Sequence, residues 1–193
     1  MTNLVIPTLA TERLRLRPLR ESDVDDFTAL HADPEVMRHL MGPWTPDRSW
    51  RALAFLMGYW LLGKPGHWAV EHLETGCFLG IAGLYEQEGG LGCELTGRLA
   101  RRWWGQGYAS EAGRAVLHHA FTAWNMDGII GLAHPENHAS IRAAQRLGGT
   151  LQGRAELKGR TLLRFGFAPP ASQGRGAGPR GGERLAPLSS AHL

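Results

Sequence analysis

The run Arg102-Trp103-Trp104-Gly105-Gln106-Gly107-Tyr108-Ala109-Ser110-Glu111 holds the densest concentration of potential chemistry in the chain. It joins a strand-like segment to a long helical one. Two glycines one residue apart let the backbone turn tightly and come close to a ligand, and the first N–H groups of the following helix have no intrahelical acceptor. Such a turn attracts anions, and a pyrophosphate fits it. An ordinary strand-to-helix turn uses the same glycines, so the surroundings must decide. A Walker loop is excluded, because no Gly-Lys-Ser or Gly-Lys-Thr occurs. A dinucleotide fingerprint, and with it a dehydrogenase, matches poorly. Its third glycine position holds Ser110, the next strand ends on Ala133-His134 instead of an acid, and Asp127 precedes that strand.

The remaining reactive side chains read more simply. His118 and His119 are neighbours on a helix and diverge by ~100°, so they do not share a metal. Cys77 and Cys93 lack a Cys-x-x-Cys partner or a nearby histidine and read as reduced, partly buried thiols. No metal site is expected. His134, at a strand end close to the glycine turn, is one candidate general base.

Strand and helix periodicities supply the scaffold. Arg13 to Pro18 alternates polar and apolar residues as a half-buried strand does. A capped helix runs from Ser22 to about Asp33-Pro34, and a second opens at Pro46-Asp47 with an apolar stripe through Trp50, Leu53, Phe55, Met57 and Trp60. Strands follow at His67 to His72, Cys77 to Tyr85 and Leu91 to Leu99, split by short turns at Glu74-Thr75-Gly76 and Glu88-Gly89-Gly90. Then come a helix from Tyr108 to Trp124, a strand at Ile129 to Ala133, a helix from Asn137 to Leu147, and strands near Thr150 to Gly153 and Leu162 to Phe167. The order predicts an α/β fold with one mixed, mostly antiparallel sheet of six to seven strands and helices on both faces.

The chain has 193 residues, 43% hydrophobic and 20% charged, which suits one globular domain with a tail. Residues 1–168 form the predicted domain. Residues 169–193 carry five Gly, four Pro and few large apolar side chains, and read as a disordered tail. That tail holds Arg175, Arg180 and Arg184 against Glu183, so most of the formal charge of +3 resides there and the nearly neutral body predicts no nucleic-acid partner. The longest uncharged apolar run, Ala52 to Gly63, is too short for a bilayer span, and the N-terminus has no signal-like pattern. The expected location is the cytoplasm, away from membranes.

Three segments together resemble one family. Arg102-x-x-Gly105-x-Gly107 followed by Tyr108-Ala109-Ser110-Glu111-Ala112 is similar to the acyl-CoA pyrophosphate loop of the GCN5-related N-acetyltransferase (GNAT) family. Pro135-Glu136-Asn137-His138-Ala139-Ser140-Ile141-Arg142 resembles its later segment, and Thr11-Glu12-Arg13-Leu14-Arg15-Leu16-Arg17 its opening. The likeness covers roughly residues 8 to 168 and is nearest to the ribosomal-protein N-acetyltransferase-like branch. Leu147-Gly148-Gly149 departs from the usual Leu-Gly-Phe, and Thr96-Gly97 stands where relatives often have Gly-Tyr or Gly-Trp.

The resemblance implies the acyl-CoA N-acyltransferase fold, a splayed sheet with acetyl-CoA as co-substrate wedged where two parallel strands part, and no metal. It implies that the backbone of Leu99 and Ala100 pairs with pantetheine and polarises the thioester carbonyl. Arg102, Gly105, Gln106, Gly107, Tyr108 and Ala109 hold the pyrophosphate, and Asn137 reaches the pantetheine arm. Glu94 becomes the candidate base for the incoming amine, directly or through water, and Ser140 the candidate donor to the departing sulfur. The implied reaction is direct transfer of an acetyl group to a primary amine, on a protein N-terminus or a small molecule, in a ternary complex. A non-catalytic acyl-CoA-sensing domain is the alternative. Exposed strand edges allow a homodimer.

Overall fold

The computed structural model describes residues 6–87 and 90–170. The tail from residue 171 onward lies outside these residues, as do Glu88 and Gly89 of the second predicted turn. In chain order the elements are β1 (Leu9–Ala10), β2 (Leu14–Pro18), a 3-10 turn (Glu21–Asp23), α1 (Val24–Ala32), α2 (Pro34–Met37) and α3 (Pro46–Leu61). Next come β3 (His67–His72), β4 (Phe78–Gln87), β5 (Gly92–Leu99), a 3-10 turn (Arg101–Trp103), α4 (Tyr108–Thr122), β6 (Ile129–Ala133), α5 (His138–Arg146), β7 (Thr150–Leu157) and β8 (Arg160–Phe167). The strands form one eight-stranded sheet in the order β1-β2-β3-β4-β5-β6-β8-β7. Its eighth member is β1, a two-residue strand that pairs Leu9 with Leu16 and Ala10 with Arg15 and is too short to leave a periodic signature.

Every neighbouring pair is antiparallel except β5 and β6. Two apolar clusters sandwich the sheet. One gathers Leu14, Leu16, Trp68, Val70, Leu84 and Leu99 under α4 residues such as Val116 and Ala120. The other packs Ala69, Phe78 and Ile81 against Phe27 and Leu30 of α1 and Leu53 and Leu56 of α3.

The buried face of α3 differs from the predicted stripe. Ser49, Leu53, Leu56, Tyr59 and Trp60 turn inward, whereas Trp50 is 59% exposed and Phe55 51%. Phe55 instead shields the paired rings of Tyr59 and Tyr85 from outside, with centroids 5.5 and 6.3 Å away. A small residue such as Ser49 can face inward where a helix passes close, which apolar counting overlooks.

Strand β2 departs from expectation on its polar side. Leu14 and Leu16 are fully buried, as alternation requires, yet Arg17 is buried as well. Its guanidinium reaches Asp23 of the 3-10 turn at 2.7 Å and Glu71 of β3 at 2.5 Å, and Arg15 also binds Glu71. Asp23 in turn accepts the Arg20 N–H at 2.8 Å, which fixes the approach to α1. Burial pushes the Glu71 carboxyl up, but the hydrogen bonds from Arg17 and Arg15 outweigh it and hold the group below its ordinary value.

Removing one partner of such a buried group leaves the others uncompensated. Arg17→Met should therefore cost about 3–5 kcal/mol, read from urea unfolding. The depressed Glu71 value also sets a pH dependence. Its stabilisation is complete above the unfolded carboxylate value of ~4.3 and disappears as pH falls through the lower folded value. In Glu71→Gln that acid-side component should vanish from the urea midpoint.

Candidate active site

Strands β5 and β6 share a single register pair, Glu94 with Ile130, and then part. Five more β5 residues, Leu95 to Leu99, continue beyond that apex, a length of ~17 Å. Both strands run the same way, so Leu99 and Ala133 end at the open mouth. Gly80 of β4 sets the far side of β5, since a side chain there would sit 2.1 Å from the Arg98 carbonyl oxygen.

Two hydrogen bonds shape the mouth. The Ala100 N–H donates to the Leu79 carbonyl of β4 at 2.8 Å, and the Leu99 carbonyl accepts the Trp104 indole N–H at 2.7 Å. The Ala100 N–H is thus taken by β4, and the Leu99 carbonyl has one of its two lone pairs engaged. By strand alternation the Leu99 N–H is the group that faces β6.

From the mouth the chain passes through Arg101–Trp103 into the glycine turn. Gly105 has φ +77° and Gly107 φ +84°, and Gly107 is the N-cap of α4. Such φ values, more than close steric approach, account for the second glycine, because a Cβ on it would meet Arg13 Nη2 at an ordinary 3.5 Å. The first bond within α4 runs from the Glu111 N–H to the Gly107 carbonyl at 3.0 Å, leaving the N–H groups of Tyr108, Ala109 and Ser110 aimed out of the helix end. The Gln106 side chain donates to the Arg102 carbonyl at 3.1 Å and tightens the turn. Tyr108 itself is buried, with its ring edge-on to Trp103 and His72, and contributes backbone to the turn.

A latch from the other end of the chain holds this turn. Arg13 binds both Glu111 oxygens, through its backbone N–H to Oε1 at 3.0 Å and through Nε and Nη2 to Oε2 at 2.8 and 2.6 Å. The Thr11 hydroxyl donates to Glu111 at 2.6 Å, and Arg13 Nη1 donates to the Gln106 carbonyl inside the turn at 3.1 Å. The same guanidinium lies 4.4 Å over the Tyr108 ring. Burial raises the Glu111 carboxyl, and the Thr11 and Arg13 hydrogen bonds more than reverse this, so it stays ionised and neutralised beside an anion-seeking helix end. The opening Thr-x-Arg of the sequence motif is thus part of the turn, an assignment that spacing alone did not reveal. A cavity of about 860 Å³ runs from Gly107 and Ser110 along the outer face of α4, where Arg114 and Arg146 add positive charge.

Strand β6 leads to the second motif. Asn137 is the N-cap of α5, its Oδ1 accepting the Ser140 N–H at 3.1 Å, so the Asn137 Nδ2 donors remain for a ligand. Ser140 is half-buried in the first turn of α5. Glu94, at the apex, is buried. His134 accepts the Glu136 N–H on Nδ1 at 3.2 Å, which puts the proton of its neutral ring on Nε2. His119 packs edge-on against Trp68 and Trp124, as a core histidine does, and no cluster of metal-ligating side chains occurs among the described residues. Cys77 is exposed and Cys93 half-buried, both free, with burial raising the Cys93 thiol to about 11. No helix among the described residues is long and apolar enough to cross a membrane.

Comparison with known proteins identifies the family and the fold. Residues 13–150 match the family model of the acetyltransferase (GNAT) domain. The chain is 31% identical over 169 residues to the otherwise uncharacterised N-acetyltransferase p20 of Bacillus licheniformis, covering 83% of this chain and 94% of that one. An acetyltransferase from Agrobacterium tumefaciens superimposes with a TM-score of 0.78 at 30% identity, over 86% of this chain and 96% of the other. RimL, a ribosomal L7/L12 alpha-N-protein acetyltransferase solved with coenzyme A, shares the fold with a TM-score of 0.71 at 15% identity, covering 84% and 98%.

The latch gives a direct expectation. Arg13→Met should release the Gln106 carbonyl and leave the Glu111 charge facing the helix end, weakening acetyl-CoA binding about 3- to 10-fold by calorimetry. Binding of S-acetylpantetheine, which lacks the pyrophosphate, should change less than twofold. An equal loss for both ligands would assign the latch to general stability.

Proposed function

We infer the function from a premise that these matches establish: the chain belongs to the GNAT acetyltransferase family. Our reading is that it moves the acetyl group of acetyl-CoA directly onto a primary amine, with both substrates bound at once. The observation that carries this reading is the single-pair parting of β5 and β6 with the α4 helix end at its mouth. Acetyl-CoA supplies an activated acetyl thioester and needs a groove for its arm and a positive end for its phosphates. The wedge offers the first, through the outward Leu99 N–H and the Asn137 amide. The turn offers the second, through Gly105 to Ala109 with Arg102 alongside. The Trp103 indole N–H is buried near this turn without a partner, a further donor for a bound group.

Glu94 at the apex is our candidate for receiving the amine proton, directly or through water. The one basic nitrogen of the His134 tautomer, Nδ1, already accepts the Glu136 N–H, which supports that choice. Ser140 makes no hydrogen bond through its Oγ among the described residues, which fits a hydroxyl kept for the departing sulfur. The reduced, unpaired thiols fit a reaction in the cytoplasm.

The test is thiol release from acetyl-CoA across a panel of amines and peptides. Binding of acetyl-CoA without release for any amine would support the sensing domain instead. Ser140→Ala should lower kcat about 10- to 100-fold while acetyl-CoA affinity stays within twofold, because a donor to a leaving thiolate acts mainly in the transition state. A loss confined to KM would return Ser140 to a binding role.

A further inference from the structure

Successive β5 residues face opposite sides of the sheet. Cys93, Leu95 and Leu99 belong to the α4 side. Glu94, Thr96 and Arg98 face the α1–α3 side, where Thr96 Oγ1 meets His67 Nε2 at 2.5 Å and Arg98 Nη1 meets His31 Nε2 at 3.1 Å. The contact at Arg98 has a defined polarity. His31 Nδ1 lies 2.7 Å from the Phe27 carbonyl and must donate to it, so His31 Nε2 presents a lone pair to the guanidinium. His31 is fully buried, and burial, then Arg98 and then Arg48, lower its pKa to about 4. It is a neutral acceptor at physiological pH.

Trp44 completes the cluster, stacking on His31 with centroids 4.3 Å apart and lying 5.7 Å from the Arg98 guanidinium. Arg48 lies 4.7 Å over the same indole and adds a second cation. Arg98 is thereby oriented by a neutral ring; Glu94 on the same strand face exerts a longer-range attraction on it, but no carboxylate among the described residues makes a direct ion pair with it. Its Nε and the Trp44 Nε1 are both buried N–H donors without partners. A half-buried cation whose buried Nε donor is idle gains from an anion in direct contact.

The residues covering this cluster also cover the wedge. Between α2 and α3 the chain turns through Met41 and Gly42, both with positive φ, and Trp44 N–H is tied to the His31 carbonyl at 2.9 Å. His39 stacks on His134 at the end of β6, with centroids 5.2 Å apart, and its carbonyl accepts from Arg160 at 3.1 Å. Leu40 and Met41 of this segment are exposed.

We propose that the acetyl acceptor is a small amine that also carries a carboxylate, and that Arg98, held by His31 and Trp44, receives that carboxylate. This rests on the acetyl-transfer reading and narrows its acceptor. Glu94 and Arg98 stand four residues apart on one strand face, ~13 Å between α-carbons, so the amine and the acid lie toward opposite ends of the acceptor. A neutral or purely cationic amine brings the guanidinium no direct partner.

The experiment measures acetyl-CoA turnover on matched carboxylate and carboxamide pairs of α- and ω-amino acids of increasing length, with short peptides as a third arm. Wild type should prefer the carboxylate by about 10- to 100-fold in kcat/KM, the range of a charge-assisted bond. The preference should fall to within about twofold of unity in Arg98→Gln and recover in part in Arg98→Lys, with both variants checked for folding by melting temperature. Equal rates within wild-type pairs, a preference that survives in Arg98→Gln, or reaction confined to peptides or carboxylate-free amines overturns the proposal. A second readout needs no variant to fold. The Arg98 Nε–H resonance of the wild-type protein with coenzyme A should shift on addition of N-acetylated amino acids and not of their amides, and an unmoved resonance also overturns it. Failure of the acetyl-transfer reading looks different, as absence of acetyl-CoA binding by calorimetry.

Discussion

Two parallel strands that pair at one point and then separate leave unpaired backbone in the middle of a sheet, where the chain can least tolerate it. The other pairings surround this gap with closed ladders: β4 fits β5 along eight register pairs, and β8 fits β6 along five. The gap is held open from both sides. Gly80 lets β4 come close enough to fix the Arg98–Leu99 backbone, and α4 packs across β4 and β5 with Val116 and Ala120 fully buried beneath it. Where the strands end, Trp104 takes up one of the orphaned carbonyls. The groups that remain are the ones a ligand must satisfy, so the fold's weakest internal pairing and its binding groove are the same feature.

Charge pairing joins that groove to the start of the chain. Three arginines alternate along β2 and its approach, and each has an acid to meet. Arg13 takes Glu111 of α4, Arg15 takes Glu71 of β3, and Arg17 takes both Glu71 and Asp23. The first pair is partly open to solvent, with the Arg13 side chain 40% exposed, and acts by geometry, orienting the turn through Gln106. The last is buried and acts by necessity, since none of its members can be left alone. One edge of the sheet thereby stabilises the fold and shapes the anion-binding turn.

Much of this was legible in the sequence. The limits of β3 and β6 follow from their bounding turns, and the start of α4 from the glycines before Tyr108, because those signals are local. The tight turn at Gly105 and Gly107 belongs to the same class, whereas the structure adds that Asn137 caps α5. What escaped was set by partners far along the chain. Arg17 looked like the solvated side of a strand because Glu71 is 54 residues away, and Thr11 and Arg13 gave no sign that Glu111, about 100 residues on, would accept from both. The inward face of α3 was misplaced because Ser49 counts as polar in an apolar tally, yet its side chain is fully buried. His31 and Arg98 are separated by 67 residues, and only the sheet's order of strands brings them together.

The indole that caps the end of β5 has an optical consequence. Trp104 is 46% exposed, yet its N–H is tied to the carbonyl that closes the groove's mouth. A chromophore half in water and half anchored to that carbonyl emits according to how dry the mouth is. Trp104 is thereby a reporter at the threshold of the groove, and its share of an emission to which seven tryptophans contribute is the difference between the wild-type protein and Trp104→Phe on ligand addition.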